Sequence, residues 1–268
     1  MGYETILYDV KNRIATITLN RPEQMNTWND TVATEVYDAM QAAGADRGVR
    51  VIVFTGAGKA FCAGGDIHSF GGDPNALMTK LPRPFDMRKR ADWQTRCSYY
   101  PAIPKPVIAM LNGATVGIGL IHALFCDIRF AAEDATITTA FARRGLTAEY
   151  GMAWILSHHV GHARALDLLL SARKIKGSEA ERMGLVNRAF PSGTLAEETY
   201  AYAADLAENC SPRSMRVMKA QLWEVPFQTP HEAIMAAGLD MPIANQCDDY
   251  KEGIASFLEK RKPNFNDD

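Results

Sequence analysis

Strands and helices alternate along the first two thirds of this chain, and that alternation narrows its fold more than any other feature. The runs VRVIVFTG, KPVIAML, CDIRFAA and ATITTAF are rich in β-branched residues and read as strands. RIATITLNRP adds another, alternating Ile14, Thr16 and Thr18 against Ala15, Ile17 and Leu19 until Pro22 stops it. NDTVATEVYDAMQAAG reads as a helix, with Asn29 or Asp30 as its N-cap and Gly44 as its stop. Two further helices are expected around 152–160 and 162–170. Ser178 is expected to cap a short helix that Gly184 closes, ahead of a strand in GLVNRAF. After Pro191 the chain turns helical to its end. The expected architecture is α/β, with a core over residues 1–190 and a helical region over 191–268.

The charge balance excludes whole classes of partner. Lys and Arg number 29 against 31 Asp and Glu, leaving a formal net charge of −2 and no global basic field to draw nucleic acid. The basic clusters in RPFDMRKRADWQTR and EKRKP are local and read as solvated helix faces. No apolar run approaches the roughly 18 residues of a membrane-spanning helix, and MGYETILYDVKNR is charged where a secretory leader would be apolar. Five cysteines, odd in number, widely spaced and without CxxC, fit reduced thiols rather than zinc or a disulfide framework. The expectation is a cytoplasmic protein with no metal site, no membrane contact and no nucleic-acid partner.

Two glycine-rich stretches, GAGKAFCAGGDI and NGATVGIGLIHALFCD, each follow a β-branched strand and place glycine where strand gives way to helix. Glycine there allows unusual dihedrals and close approach of a ligand to the backbone. A helix start leaves amide N–H groups unpaired and partially positive. Two such turns side by side could aim two donors at one oxygen that becomes negative during a reaction. Neither stretch is GxGxxG or a P-loop, and each alone is also compatible with a plain tight turn. Residues 71–106 are proline-rich and weakly periodic, as expected of an irregular, mobile loop covering a site.

The segments ITLNRPEQMNTWN, GKAFCAGGDI, KPVIAMLNGATVGIG, CDIRFAAEDA, ARKIKGSEAERMGLVN and FLEKRKPNF, in that order, resemble the successive signatures of the enoyl-CoA hydratase/isomerase (crotonase) superfamily. The resemblance implies a spiral of ββα repeats with a C-terminal helical trimerisation region, and hence a homotrimer or dimer of trimers. It implies an acyl-CoA thioester as substrate, no cofactor beyond the CoA moiety, and an enolate held at the thioester carbonyl by two backbone N–H groups. By motif match these belong to Gly65, before the aspartate of AGGD, and to Ile118, the middle of three positions usually written GGG. Isoleucine there leaves the donor intact but puts bulk beside the acyl group. The same resemblance sets Glu23, Gln24 and Met25 beside the pantetheine and phosphates, and Ala63, Asp66 and Ile67 around the adenine. Phe257 and Lys260 would reach the CoA of this or a neighbouring subunit.

Family members that hydrate a double bond use two glutamates, at positions that match Ile121 and Phe141. Both are apolar here, so that apparatus is missing. One carboxylate remains, Glu149 in RRGLTAEYGMAW, at a position that resembles the catalytic glutamate of the isomerase branch and the nucleophilic aspartate of the dehalogenase branch. A single base beside an oxyanion hole suffices to move a double bond; the plain alternative is a first-turn acid on a helix beginning near Tyr150. His122 reads as a satisfied core histidine, His68 as a residue of the acyl pocket or the surface, and Asp66 as a brace for its own loop. His158 and His159 are adjacent and cannot share one helix face. Isomerisation is favoured on these residues. Hydrolysis or dehalogenation through Glu149, and a non-catalytic CoA- or RNA-binding relative, stay open.

Overall fold

The computed structural model describes residues 2–66 and 85–266. The chain opens with a hairpin, β1 (Ile6–Lys11) and β2 (Ile14–Leu19), paired antiparallel from Lys11↔Ile14 to Ile6↔Leu19. Its two-residue turn has Asn12 at φ 52° and Arg13 at φ 63°. Positive φ at both centres matches the twist of the flanking strands. Sequence reading found β2 but not β1, whose exposed Leu7 and Val10 blur the alternation.

Helix α1 (Asp30–Ala45) follows, with the Asn29 side chain accepting from the Val32 amide as its cap. Strands β3 (Val51–Gly56), β5 (Val107–Leu111) and β7 (Ile128–Ala132) then join β1 and β2 in one sheet, and β10 (Arg188–Phe190) ends it. From β2 onward every pairing in this sheet is parallel. All of β3 is buried because both faces are covered: Ile52 and Phe54 enter one core cluster, Val51 and Val53 the other. That is why its sequence reads as an unbroken apolar run.

After β3, β5 and β7 the chain drops a short strand, β4 (Ala60–Cys62), β6 (Ala114–Val116) and β8 (Thr136–Thr138), into a second sheet that β9 (Ile175–Lys176) completes. The repeating long strand, short strand and helix make the expected spiral. The short strands have two or three residues, and only β8 falls in a run read as a strand, ATITTAF. Between the turns lie α2 (Ile118–Phe125), α3 (Met152–Val160), α4 (His162–Ser171) and α5 (Gly177–Arg182). Ser178 does not cap α5; it lies inside it, with Lys176 at the N-cap position. Gly184 follows the helix with φ +80°, as a closing residue should.

Four helices complete the chain: α6 (Leu195–Asn209), α7 (Pro212–Glu224), α8 (Pro230–Gln246) and α9 (Asp248–Glu259). Leu195, Ala203 and Ala207 of α6 cover the second face of the large sheet. No helix among the described residues is long and apolar enough to cross a membrane.

Part of the expected covering loop is core instead. Cys97, Ser98, Tyr99, Tyr100 and Pro101 are buried, with the rings of Tyr99 and Tyr100 stacked at 4.4 Å. Lys219 of α7 holds this segment by donating to the carbonyls of Tyr100 at 3.0 Å and Lys105 at 2.9 Å while pairing with Asp127 at 2.7 Å. Residues 71–84 of that expectation lie outside the described residues.

Buried Arg129 secures the far end of α2. It donates to the carbonyls of Cys126 at 2.7 Å and Leu185 at 2.9 Å, and burial pulls its pKa down to about 10. Close packing also fixes the start of α5, where a Cβ on Gly177 would stand 1.9 Å from the Ala132 carbonyl oxygen. Gly177→Ala is therefore expected to destabilise the fold by about 3 kcal/mol, seen as a lower urea midpoint at unchanged m-value.

Candidate active site

The two glycine-rich turns lie next to each other because their strands pair. β4 runs parallel to β6, with Cys62 opposite Thr115. A Cβ on Gly119 would sit 2.6 Å from Cys62 Cβ, so only glycine lets α2 start this close to β4. Gly113 serves the same end, its missing Cβ being 2.1 Å from the Lys59 carbonyl oxygen.

The chain around Gly65 is shaped by Trp28. The Trp28 amide donates to Gly64 O at 2.8 Å and its carbonyl accepts from the Asp66 amide at 2.9 Å, a single parallel bridge opposite Gly65. In a parallel ladder the bracketed residue points its own N–H and C=O away from the partner. Gly64, at φ +117°, takes a conformation open to glycine alone. Among the described residues the Gly65 amide donates to no protein group.

Ile118 opens α2 behind Gly117 (φ 51°), with no side-chain cap. As the first helical residue it has no intrahelical acceptor for its N–H. Among the described residues both amides assigned by motif thus lack a protein acceptor, on adjoining turns of one small sheet, and that of Ile118 carries the positive end of a helix.

Glu149 lies in a tight turn, not in the first turn of a helix as the plain alternative has it. Its carbonyl accepts from Met152 at 2.9 Å, and α3 begins only at Met152. Between them Tyr150 and Gly151 have φ 48° and 76°, two left-handed residues in succession. Such a conformation at a tyrosine costs about 1–3 kcal/mol and is concentrated at functional sites. The Glu149 side chain is half-buried, and burial raises its pKa above the ordinary carboxylate value. Its charge reaches buried Cys97 and pushes that thiol further up. Arg96, whose charge is felt at Tyr150, is engaged by Asp30 at 2.6 Å.

The positions that match the hydratase glutamates, Ile121 and Phe141, are buried in the core. His122 is a satisfied core histidine, as read: Nδ1 lies 2.8 Å from Tyr100 Oη and Nε2 3.5 Å from Cys97 Sγ. Burial lowers its pKa to about 3. His158 is exposed against Trp154, whereas His159 turns inward to Leu124 O at 2.9 Å. Asp66 braces its loop by pairing with Arg21 at 3.0 Å.

The expected CoA residues fall on two surfaces. Glu23 and Gln24 are exposed on the 3-10 turn Pro22–Gln24, and Met25 follows at φ 53°. Arg21 donates to the Gln24 side chain, and the Met25 carbonyl accepts from Ala63 at 3.0 Å, so this turn abuts the AGGD stretch. Phe257 and Lys260 stand on and just after α9, which packs on α8; Phe257 is 82% exposed. Ile67 and His68 lie outside the described residues. Sequence reading did not single out Trp28, Cys97 or Tyr100. Trp28 lies within one of the quoted signatures, but nothing local announces that Cys97 and Tyr100 converge on α2.

A raised carboxyl pKa has a consequence for stability. The folded protein holds the Glu149 proton more tightly than the unfolded chain does, so ionisation weakens folding as pH rises through the carboxylate range. Glu149→Gln should therefore melt at or above the unaltered protein at neutral pH. The difference should vanish on acidification below the unfolded glutamate pKa, as thermal melts at several pH values would record.

Comparison with known proteins gives the family and the fold. Residues 9–268 match the family described as Enoyl-CoA hydratase/isomerase. The chain is 36% identical over 265 residues to a probable enoyl-CoA hydratase of Rhodobacter capsulatus, covering 99% of each. It is 30% identical over 262 residues to the 1,2-epoxyphenylacetyl-CoA isomerase of Escherichia coli, covering 98% of each. The crystal structure of an enoyl-CoA hydratase from Bacillus anthracis superposes with a TM-score of 0.90 at 27% identity, covering 99% of this chain and all of that one. By this family match and these identities, the chain belongs to the enoyl-CoA hydratase/isomerase family of enzymes.

Proposed function

We propose that the protein shifts a carbon–carbon double bond in an acyl-CoA thioester, using Glu149 as its single acid and base. The observation that carries this reading is the pairing of one half-buried carboxylate with apolar, buried residues at both positions that match the hydratase glutamates. The Glu149 carboxylate removes a proton from one carbon next to the double bond. The freed electron pair delocalises onto the thioester oxygen, which the N–H groups of Gly65 and Ile118 hold as an enolate. The carboxylic acid so formed returns the proton to the carbon at the other end of the allylic system. Atoms and charge balance without water, metal or redox partner. A base whose pKa is raised by burial suits both halves of the exchange.

In this reading Glu23, Gln24, Met25, Ala63, Asp66 and Ile67 flank the CoA moiety, and Phe257 and Lys260 reach it from this subunit or a neighbour. The chain works in the cytoplasm, with its catalytic core over 1–190 and its assembly region over 191–268. Assembly into a homotrimer or dimer of trimers is supported by apolar side chains left facing outward on α8, among them Ile234 at 69% and Leu239 at 73% exposure.

In D2O the enzyme should place deuterium at the α- or γ-carbon of an unsaturated acyl-CoA. Glu149→Gln should slow that exchange by about 10²–10⁴-fold, and Ile118→Pro, which deletes one donor at a helix position that accepts proline, by about 10²–10³-fold. Release of free CoA without exchange would instead identify a hydrolase. Sedimentation equilibrium should give three or six times the 29.5 kDa chain mass, and Leu239→Glu should lower it.

A further inference from the structure

We infer that His122 is a positioning residue that couples the two oxyanion donors, by way of its stack on Trp28. The inference rests on the reading of Gly65 and Ile118 given under the proposed function.

His122 stands four residues after Ile118 on α2, which sets the two on one helix face. Its ring lies against the Trp28 indole at 3.8 Å between centroids and 24° between planes. The Trp28 backbone is the group that brackets Gly65, through the 2.8 Å and 2.9 Å hydrogen bonds to its neighbours. One side chain thus joins the helix that carries the second donor to the strand segment that orients the first.

The ring has no freedom of its own. Tyr99 Oη donates to Tyr100 Oη at 3.3 Å, which leaves the Tyr100 proton for His122 Nδ1 at 2.8 Å. The other nitrogen then carries the ring hydrogen and points it at Cys97 Sγ, 3.5 Å away. Side-chain packing alone would be served at less cost by leucine, because each buried ring nitrogen demands a partner. A partner at each ring nitrogen fixes the rotation of the imidazole, and hence the plane on which Trp28 rests. The imidazole stays neutral through the physiological range, so the link does not switch with pH.

The test uses the intact enzyme and crotonyl-CoA labelled with carbon-13 at the carbonyl, followed by isotope-edited infrared spectroscopy. Binding to the unaltered protein should lower the carbonyl stretch. An unshifted carbonyl there would overturn this inference together with the reading of the site. With that shift established, His122→Leu should return the stretch most of the way to its solution value and slow deuterium exchange by about 10- to 100-fold. Affinity for CoA itself should stay within about two-fold of the unaltered protein, since each change would then act on donor alignment alone. Trp28→Leu should do the same, and the double variant should be no worse than the poorer single. His122→Phe, which keeps the ring, should recover part of the shift. A lowered Tm with stretch and exchange unchanged would mean a merely structural histidine and overturn the inference, as would losses that add in the double variant. Should His122→Leu not fold, Trp28→Phe decides: partial loss of the shift supports the link, and an unchanged shift overturns it.

Discussion

Two three-residue strands lying side by side carry the architecture of the site. β4 and β6 contribute few hydrogen bonds, yet their parallel pairing is what brings one glycine turn against the other. The approach is too close for side chains: Gly113 and Gly119 sit where a single methyl would collide with Lys59 O or with Cys62. The six-stranded sheet is covered on both faces by the two core clusters, and the small sheet adds Phe61, Cys62, Ile137 and Ile175 to one of them.

Electrostatically the site is spare. α2 has eight residues, short for a helix to persist on its own, so its direction is imposed from outside. At its C-terminal end Arg129 neutralises the exposed carbonyls with a buried cation. At its N-terminal end no described side chain caps the helix, and the first amides keep the partial positive charge on which the proposed oxyanion role draws. Between these ends the buried polar groups near the site, His122, Tyr100, Tyr99 and Cys97, are neutral and satisfy one another. Glu149 remains as the half-buried anion beside them, raised toward a proton by burial and not lowered by a paired cation.

Much of this was legible in the chain. The long strands, α1 with its Asn29 cap and the four terminal helices follow from period and punctuation, because each is long enough to repeat its pattern. The glycines of AGGD and GIG announced unusual backbone, and six ordered signatures named the family. What escaped were features set by contacts distant in sequence. β1 has a mixed face, β4 and β6 are too short to show alternation, and Tyr99 and Tyr100 were read as loop because their burial depends on α2 and on Lys219. Glu149 stands out as a residue and α3 begins at Met152 as expected; what escapes is the backbone between them, where Tyr150 and Gly151 turn left-handed.

That left-handed pair bears on any attempt to transplant the carboxylate. Its direction is written in main-chain dihedrals over four consecutive residues, with the Glu149 carbonyl tied to the Met152 amide. Pasting a lone glutamate into the matching column of another scaffold would carry over the acid and leave its aim behind. A graft would have to move 149–152 as one block, together with whatever seats the tyrosine.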